Sequence, residues 1–574
     1  MLIALRLLRN LLRIALLPFW LIGRRVGRPR GRWVQVRLHP SLAELARPRP
    51  LWQHLLRRRA GVLQSQSVAE LRRLVKAIAR DTQVEGLVVQ VPHLHAGWAS
   101  CSGVRELLLS LRARGKRVVA YLPLGGGNRE LFLALAADRI LTTPQAPIAL
   151  LGVGAQMLYY KPLLDRIGVQ ADVHARGDYK TAAEPATREA MSDAQREQLS
   201  ALMGTVQREL ERAVASRPGF DDARARALFE QAVWGARHAA EAGLIDGCCY
   251  EDELARELGM AGDKPPRPMP GARYLAFREA RLWQPVLPQP ELAVIQVHGA
   301  IAPVAPALPG SRVTALGPTV SALRAARRNR RVRGVLLHVD SPGGSALASD
   351  LIHREIVRLR EKKPIVACFG DVAASGGYYV AAPCQRIIAQ ATTVTGSIGV
   401  VSLRPLVREL AERVGLRPQA LRAAPHADML SPYRALDAHE DALITAETRA
   451  IYDAFVGIVA SGRGRSVEDI EPLARGRVWS GLDAARLGLV DELGGFEQAL
   501  TALRGLVPEL QDVPEERLRV RLLSGAQPLP PPEPPAPAAI WTALLGRATS
   551  ELGDALSLFG GEERAFLYAF IPEL

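Results

Sequence analysis

EGLVVQV (85–91) and RGVLLHV (333–339) decide how this chain is read. Each is a short, unbroken run of apolar and β-branched residues, the pattern of a strand buried on both faces in a parallel sheet. The two runs also resemble each other, and the likeness continues along the chain. GKRVVAYL (115–122) matches KKPIVACF (362–369) at an offset of 247, as AADRI (136–140) matches PCQRI (383–387). VWGARHAAEAGLIDG (233–247) answers VWSGLDAARLGLVDE (478–492). Between the strands lie amphipathic stretches such as SDLIHREIVRLREKK, so each half reads as a succession of βαβ units.

The 574 residues exceed what one hydrophobic core ordinarily holds. The expected organisation is an anchor at 1–33, α/β repeats at 60–262 and 290–506, and a proline-rich linker at 263–289. A proline-rich linker and tail at 507–574 would follow, with a polyproline stretch at 527–539 and an amphipathic segment around Trp541–Leu558.

The halves differ where chemistry is expected. DVAASGGYY (371–379) places Ser375 before two glycines, but the aligned residues of the first half are Asn128, Arg129 and Glu130. DSPGGS (340–345) faces PHLHAG (92–97). Conversely, RGDYKTAAEP (176–185) carries Lys180, whereas its counterpart, RAAPHADMLSP (422–432), has no lysine. A serine hydroxyl needs a base before it can attack a carbonyl, and an amine serves only when burial lowers its pKa. The chain holds seven lysines against sixty-seven arginines, so a lysine kept in this motif suits a need for a deprotonable amine. Ser375 is therefore the candidate nucleophile and Lys180 the candidate base. The N–H of Gly376, with that of Gly343 or Gly344, would hold an oxyanion, since glycine lets a backbone donor approach a carbonyl closely.

These motifs, with TGSIGV (395–400), resemble the signal peptide peptidase A (protease IV) family in its long, two-repeat bacterial form. The resemblance spans nearly all of residues 60–506. It implies tandem domains of the crotonase and Clp-protease fold behind an N-terminal membrane anchor. It also implies a Ser–Lys peptidase that hydrolyses cleaved signal peptides, assembled as a bowl-shaped homo-oligomer, a tetramer by that resemblance. The family further implies the bacterial inner membrane, with the catalytic domains on the periplasmic side, and gives Ser397 the role of orienting the lysine. Asp340 departs from the asparagine common there, with little consequence expected. An acyl-CoA-processing enzyme of the same fold, or a non-catalytic membrane scaffold, are the alternatives.

The net charge of +16 is concentrated in part near the N-terminus, with no basic stripe bearing stacking aromatics, so nucleic acid is not an expected partner. The N-terminal segment carries Arg6, Arg9 and Arg13 on one helical face, which suits an amphipathic or marginal transmembrane anchor. The five cysteines lack metal spacing, and Cys368 and Cys384 read as core residues. His298 and His338 sit in apolar strand patterns and read as core histidines, and His93 and His95 lack companion ligands. No Walker or dinucleotide-binding glycine pattern is present, so neither cofactor nor metal is expected.

Overall fold

A computed structural model describes residues 2–26, 31–45, 67–260, 267–280, 289–304, 313–514 and 518–524. Two parallel sheets organise them, one in each half. The first runs Gly247–Cys248, Arg139–Thr142, Arg117–Leu122, Gly86–Gln90, Trp33–Arg37, Met269–Pro270. The second runs Val478–Ser480, Val394–Gly396, Ile365–Ala374, Val332–Ser341, Glu291–His298, Arg519–Leu522; Arg386–Ala389 pairs beside Ile365–Ala374 and carries Glu492–Leu493 on its far side. Val394–Gly396 meets Val478–Ser480 antiparallel, as Pro147–Ala149 meets Val233–Gly235 in the first half.

The expected parallel α/β duplication is thus visible strand by strand. Gly86–Gln90 is buried at every position, as its unbroken apolar pattern requires. The repeat extends even to lysine placement. Lys116 donates to the carbonyls of Asp81 and Val84, and Lys363 donates to those of Ala326 and Asn329, tying down the chain at the end of equivalent helices.

Several expected boundaries shift. The N-terminal segment forms two helices, Leu2–Ala15 and Leu17–Val26, and among the described residues no helix is long and apolar enough to cross a membrane. At 1.5 Å per residue, the longer reaches only about 21 Å, and Arg6, Arg9 and Arg13 occupy one of its faces. Among the described residues, then, no single helix supplies the span that a transmembrane reading of 1–33 needs. Trp33 belongs to no anchor: it is wholly buried and opens the strand Trp33–Arg37, so the first sheet recruits residues well before 60.

The 263–289 connector is likewise partly structural. Met269–Pro270 pairs with Trp33–Arg37, and the helix Gly271–Glu279 buries Tyr274, whose hydroxyl donates to Asp81 at 2.9 Å. In the expected tail, Leu510 is buried and Arg519–Leu522 joins the edge of the second sheet. The segments at 527–539 and 541–558 lie outside the described residues.

The halves are joined by contacts that neither half makes alone. Gln170–Arg176 pairs antiparallel with Val400–Leu406 over seven residues. Lys76 of the first half reaches Glu497 of the second at 2.8 Å. This joint brings the lysine-bearing half against the serine-bearing one.

Candidate active site

The strand Ile365–Ala374 runs through the core of the second half and ends abruptly at Ser375, where φ is 52° and ψ is −121°. The turn is pinned by the Ser375 N–H donating to Gly396 O at 2.8 Å, and the helix Gly376–Ala381 starts at once. The side chain is thereby held at the tip of a sharp corner. Ser397, just beyond Val394–Gly396, also has a positive φ, 50°, and its N–H donates to Arg477 O at 2.7 Å. Among the described residues only five non-glycines have positive φ, and three of them, Ser375, Ser397 and Arg475, converge here. Such costly backbone persists where the surroundings over-determine it, characteristically at functional sites.

Lys180 enters from the first half. A tight turn sets its backbone, with its N–H donating to Gly177 O at 3.0 Å and the Tyr179 N–H donating to Arg475 O at 2.9 Å. Gly476 (φ 75°) packs so closely that an added Cβ would stand 2.5 Å from the Lys180 Cβ. The amine lies 3.3 Å from Ser375 Oγ, 2.8 Å from Ser397 Oγ and 3.0 Å from Ser397 O. Burial lowers its pKa from 10.5 to about 7. The cause is loss of hydration, which disfavours the ammonium form. A neutral amine has two N–H bonds and one lone pair. The two oxygens of Ser397 match the N–H bonds and leave the lone pair for the Ser375 hydroxyl.

The glycine turn completes the corner. Gly343 (φ 107°) would place a Cβ 2.7 Å from Gly376 N and 2.8 Å from Ser375 Cβ, while a Cβ on Gly344 (φ 145°) would stand 2.2 Å from Ile301 O. Ile301 braces this turn, donating to Gly343 O at 2.7 Å and accepting from Ser345 N at 2.8 Å. The Gly343 N–H donates to Ser341 Oγ at 3.2 Å, so the Gly344 N–H is the better placed of the two for a substrate oxygen. It lies 3.4 Å from where a Cβ on Gly376 would stand.

All six expected site residues, Ser375, Lys180, Ser397, Gly376, Gly343 and Gly344, therefore gather at one corner. Sequence reading missed Arg475, Gly476 and Arg477, which bridge the Ser397 turn to the lysine turn. The Arg477 guanidinium lies between the rings of Tyr179 and Trp479, 4.6 and 4.3 Å from their centroids, and pairs with Glu197 at 2.7 Å. The glycine at 476 in ARGRVW was the available signal.

His298 and His338 pair with each other, Nε2 to Nδ1 at 2.7 Å, and burial holds His338 well below the usual imidazole range. Cys368 and Cys384 are buried, as core residues should be. One cluster among the described residues, His426, Asp437 and Glu440, brings three possible metal ligands together. Its Glu440 carboxylate is already closed by Arg434 and His426.

The profile of Peptidase family S49 matches residues 110–262 and again 357–508, the offset of the repeats. The chain is 32% identical to Serine protease SPPA, chloroplastic, of Arabidopsis thaliana over 435 residues, covering 74% of this chain but 63% of that protein, just under two thirds of its length. It is 31% identical over 457 residues to Protease 4 of Salmonella typhi, and 28% identical over 449 residues to Protease 4 of Haemophilus influenzae. Those alignments cover 76% and 75% of this chain and 72% of each relative.

Proposed function

The chain belongs to peptidase family S49, and we propose that it is a serine endopeptidase that hydrolyses cleaved signal peptides and other short apolar peptides with a Ser375–Lys180 dyad. The observation that carries this reading is the half-buried Lys180, its amine set between Ser375 Oγ and the two oxygens of Ser397. Lys180 takes the Ser375 proton as Oγ bonds to the peptide carbonyl carbon. The oxygen that becomes negative accepts from the Gly376 and Gly344 N–H groups. When the C–N bond breaks, Lys180 returns the proton to the leaving amine. Water then cleaves the serine ester by the same proton route, releasing the acid and restoring Ser375. Ser397 keeps the amine aimed.

The two halves are read as tandem domains of the crotonase and Clp-protease type, a reading supported by the duplicated parallel sheets. Membrane association is read as interfacial. The N-terminal helices expose Leu11, Leu12, Phe19 and Ile22 beside their arginines, a composition suited to lying on a bilayer. Attachment to the bacterial inner membrane with the catalytic halves on the periplasmic side follows the family resemblance.

Assembly into a homo-oligomeric ring, a tetramer by that resemblance, is supported by the repeat. Gln170–Arg176 pairs with Val400–Leu406 within the chain, but the equivalent segments, 417–423 and 153–159, belong to no strand. They carry Leu421 and Leu158 fully and largely exposed. Pairing 417–423 of one copy with 153–159 of the next would repeat the internal joint head to tail and close a ring.

Turnover of a quenched apolar leader peptide, with fluorophosphonate labelling mapped to Ser375, tests the peptidase reading. An inert wild type, or labelling elsewhere, would refute it. The pH profile is a second test. Because the working base is the neutral amine, kcat/KM should rise about tenfold per pH unit below about 7 and level off above it. A flat profile would remove Lys180 from the base role, and an ascending midpoint near the ordinary lysine value would refute its lowered pKa.

A further inference from the structure

The strand that delivers Ser375 does not pair evenly with its neighbour. Val339 pairs with Phe369 and Ser341 with Ala373, so Gly370, Asp371 and Val372 together stand opposite Asp340. Asp340 fills the irregularity: its Oδ1 accepts from the Val372 N–H at 3.1 Å, and a Cβ on Gly370 would stand 2.9 Å from the Asp340 Cβ. Bulges of this kind re-aim a side chain, and here the re-aimed residue is Asp371.

Asp371 reaches out of its own half. Its Oδ1 accepts from the Ser100 N–H at 2.8 Å, and its Oδ2 accepts from the Gly97 N–H at 3.1 Å and from Ser100 Oγ at 2.7 Å. Gly97 is the N-cap of the helix Trp98–Arg112 in the lysine-bearing half, and it has no side chain to cap with. Asp371 supplies the missing cap from the other half. A Cβ on Gly97 would stand 2.2 Å from the Asp371 Cγ, so the position has room for the foreign carboxylate and for nothing else. Beyond Asp371 the strand pairs residue for residue with Val394–Gly396, Val372 through Ala374 leading to Ser375 on one strand and Gly396 to Ser397 on the other. The carboxylate thus pins the lysine-bearing half to the strand pair that carries both serines.

We propose that Asp371 is a positioning residue for the dyad, setting the separation of the halves and hence the approach of Lys180 to Ser375 and Ser397. The inference rests on the dyad reading and adds to it a residue that touches no substrate. The burial of Asp371 and the negative charge of Asp340 both push its carboxyl pKa upward, while the donors from Gly97 and Ser100 favour its ionised form.

The experiment compares wild type, Ser375→Ala, Asp371→Asn, Gly97→Ala and Ser100→Ala on a quenched apolar leader peptide, with fluorophosphonate titration counting competent sites. Asparagine turns an amide N–H₂ toward backbone donors, and alanine at 97 displaces the carboxylate sterically. Both should lower kcat per titrated site on the order of 10²-fold, the cost of roughly 1 Å of misplacement, with KM little changed. The ascending midpoint of the pH profile should move upward, because a loosened joint lets water reach the Lys180 amine. Ser100→Ala, which keeps the backbone donors, should fall between, and Ser100→Thr should restore wild-type behaviour.

Wild-type kcat and midpoint in Asp371→Asn and Gly97→Ala would overturn the proposal. So would a loss confined to the number of competent sites, with rate and midpoint per site unchanged, which is what a purely structural cap predicts. If wild type and Ser375→Ala behave alike, it is the dyad reading that fails, and this inference fails with it.

Discussion

Lys180→Met is expected to lower kcat by about 10⁴- to 10⁶-fold, the range found when a member of a nucleophile–base pair is removed. At the same time it should raise stability at neutral pH. Both effects have one cause. The amine sits in a site that lowers its pKa from 10.5 to about 7, so the fold bears the cost of burying a group that prefers water as a cation. Fully realised, that shift is worth on the order of 4–5 kcal/mol. The measured gain should be smaller, because methionine leaves the Ser397 oxygens without their N–H partner.

The sign follows from linkage. Between about 7 and 10.5 the unfolded chain binds the proton and the folded chain does not, so wild-type stability rises with pH across that window. The advantage of Lys180→Met should therefore be largest below pH 7, shrink as pH rises, and vanish above 10.5. Chemical denaturation at several pH values, beside steady-state kinetics, checks both halves of the expectation. Retained activity sinks the base assignment. A stability loss that is equal at every pH sinks the account of the lowered pKa.

The second large effect is expected at Gly343. Alanine there must adopt φ near 107°, and its Cβ would stand 2.7 Å from the Gly376 N–H nitrogen and 2.8 Å from the Ser375 Cβ. The methyl group would occupy the space in which a substrate oxygen meets its donors, and relieving the clash would turn the serine corner. Loss of an oxyanion donor typically costs about 10²- to 10³-fold in kcat. Gly343→Ala should lose at least that much, with the protein folded and the KM little altered. Turnover within about threefold of wild type would show that the carbonyl is polarised elsewhere. Gly344→Ala should behave similarly for a different reason, since its methyl group would strike the Ile301 carbonyl that braces the turn.

Much of this is legible in the amino-acid order alone. Runs such as EGLVVQV and RGVLLHV can only be satisfied with both faces covered, and their recurrence dictates two copies of one parallel α/β arrangement. The division of labour was legible too, because Ser375-Gly376-Gly377 and Lys180 each lack a counterpart in the other half. Lysine scarcity was a weaker guide. Lys116 and Lys363 are equally scarce, and they serve only to hold helix-end carbonyls. What sets Lys180 apart is burial among serine oxygens, which composition does not encode.

The boundaries were less legible, and for a physical reason. Trp33–Arg37, Met269–Pro270 and Arg519–Leu522 are short strands whose partners lie far away in sequence, so no local pattern announces that the sheets will recruit them. The same reason hid Arg475 and Gly476, which matter only because Lys180 lands on them. It also concealed Asp371, whose direction is set by a bulge opposite Asp340 and whose partners belong to the other half.

By itself, then, the amino-acid order determined the repeated strands, the parallel sheets and the identities of a serine, a lysine and the glycines able to serve one reaction. Side-chain periodicity and backbone permissiveness are local properties, and they can be read one segment at a time. Only the tertiary structure decided that Lys180 reaches Ser375 within one chain, that Ser397 takes both N–H bonds of the amine, and that Gly344 is better placed than Gly343 to donate. The lysine contacts are distances between groups some 200 residues apart, set by how the two halves pack against each other, and the choice between the glycines turns on whether Ser341 already engages the Gly343 N–H.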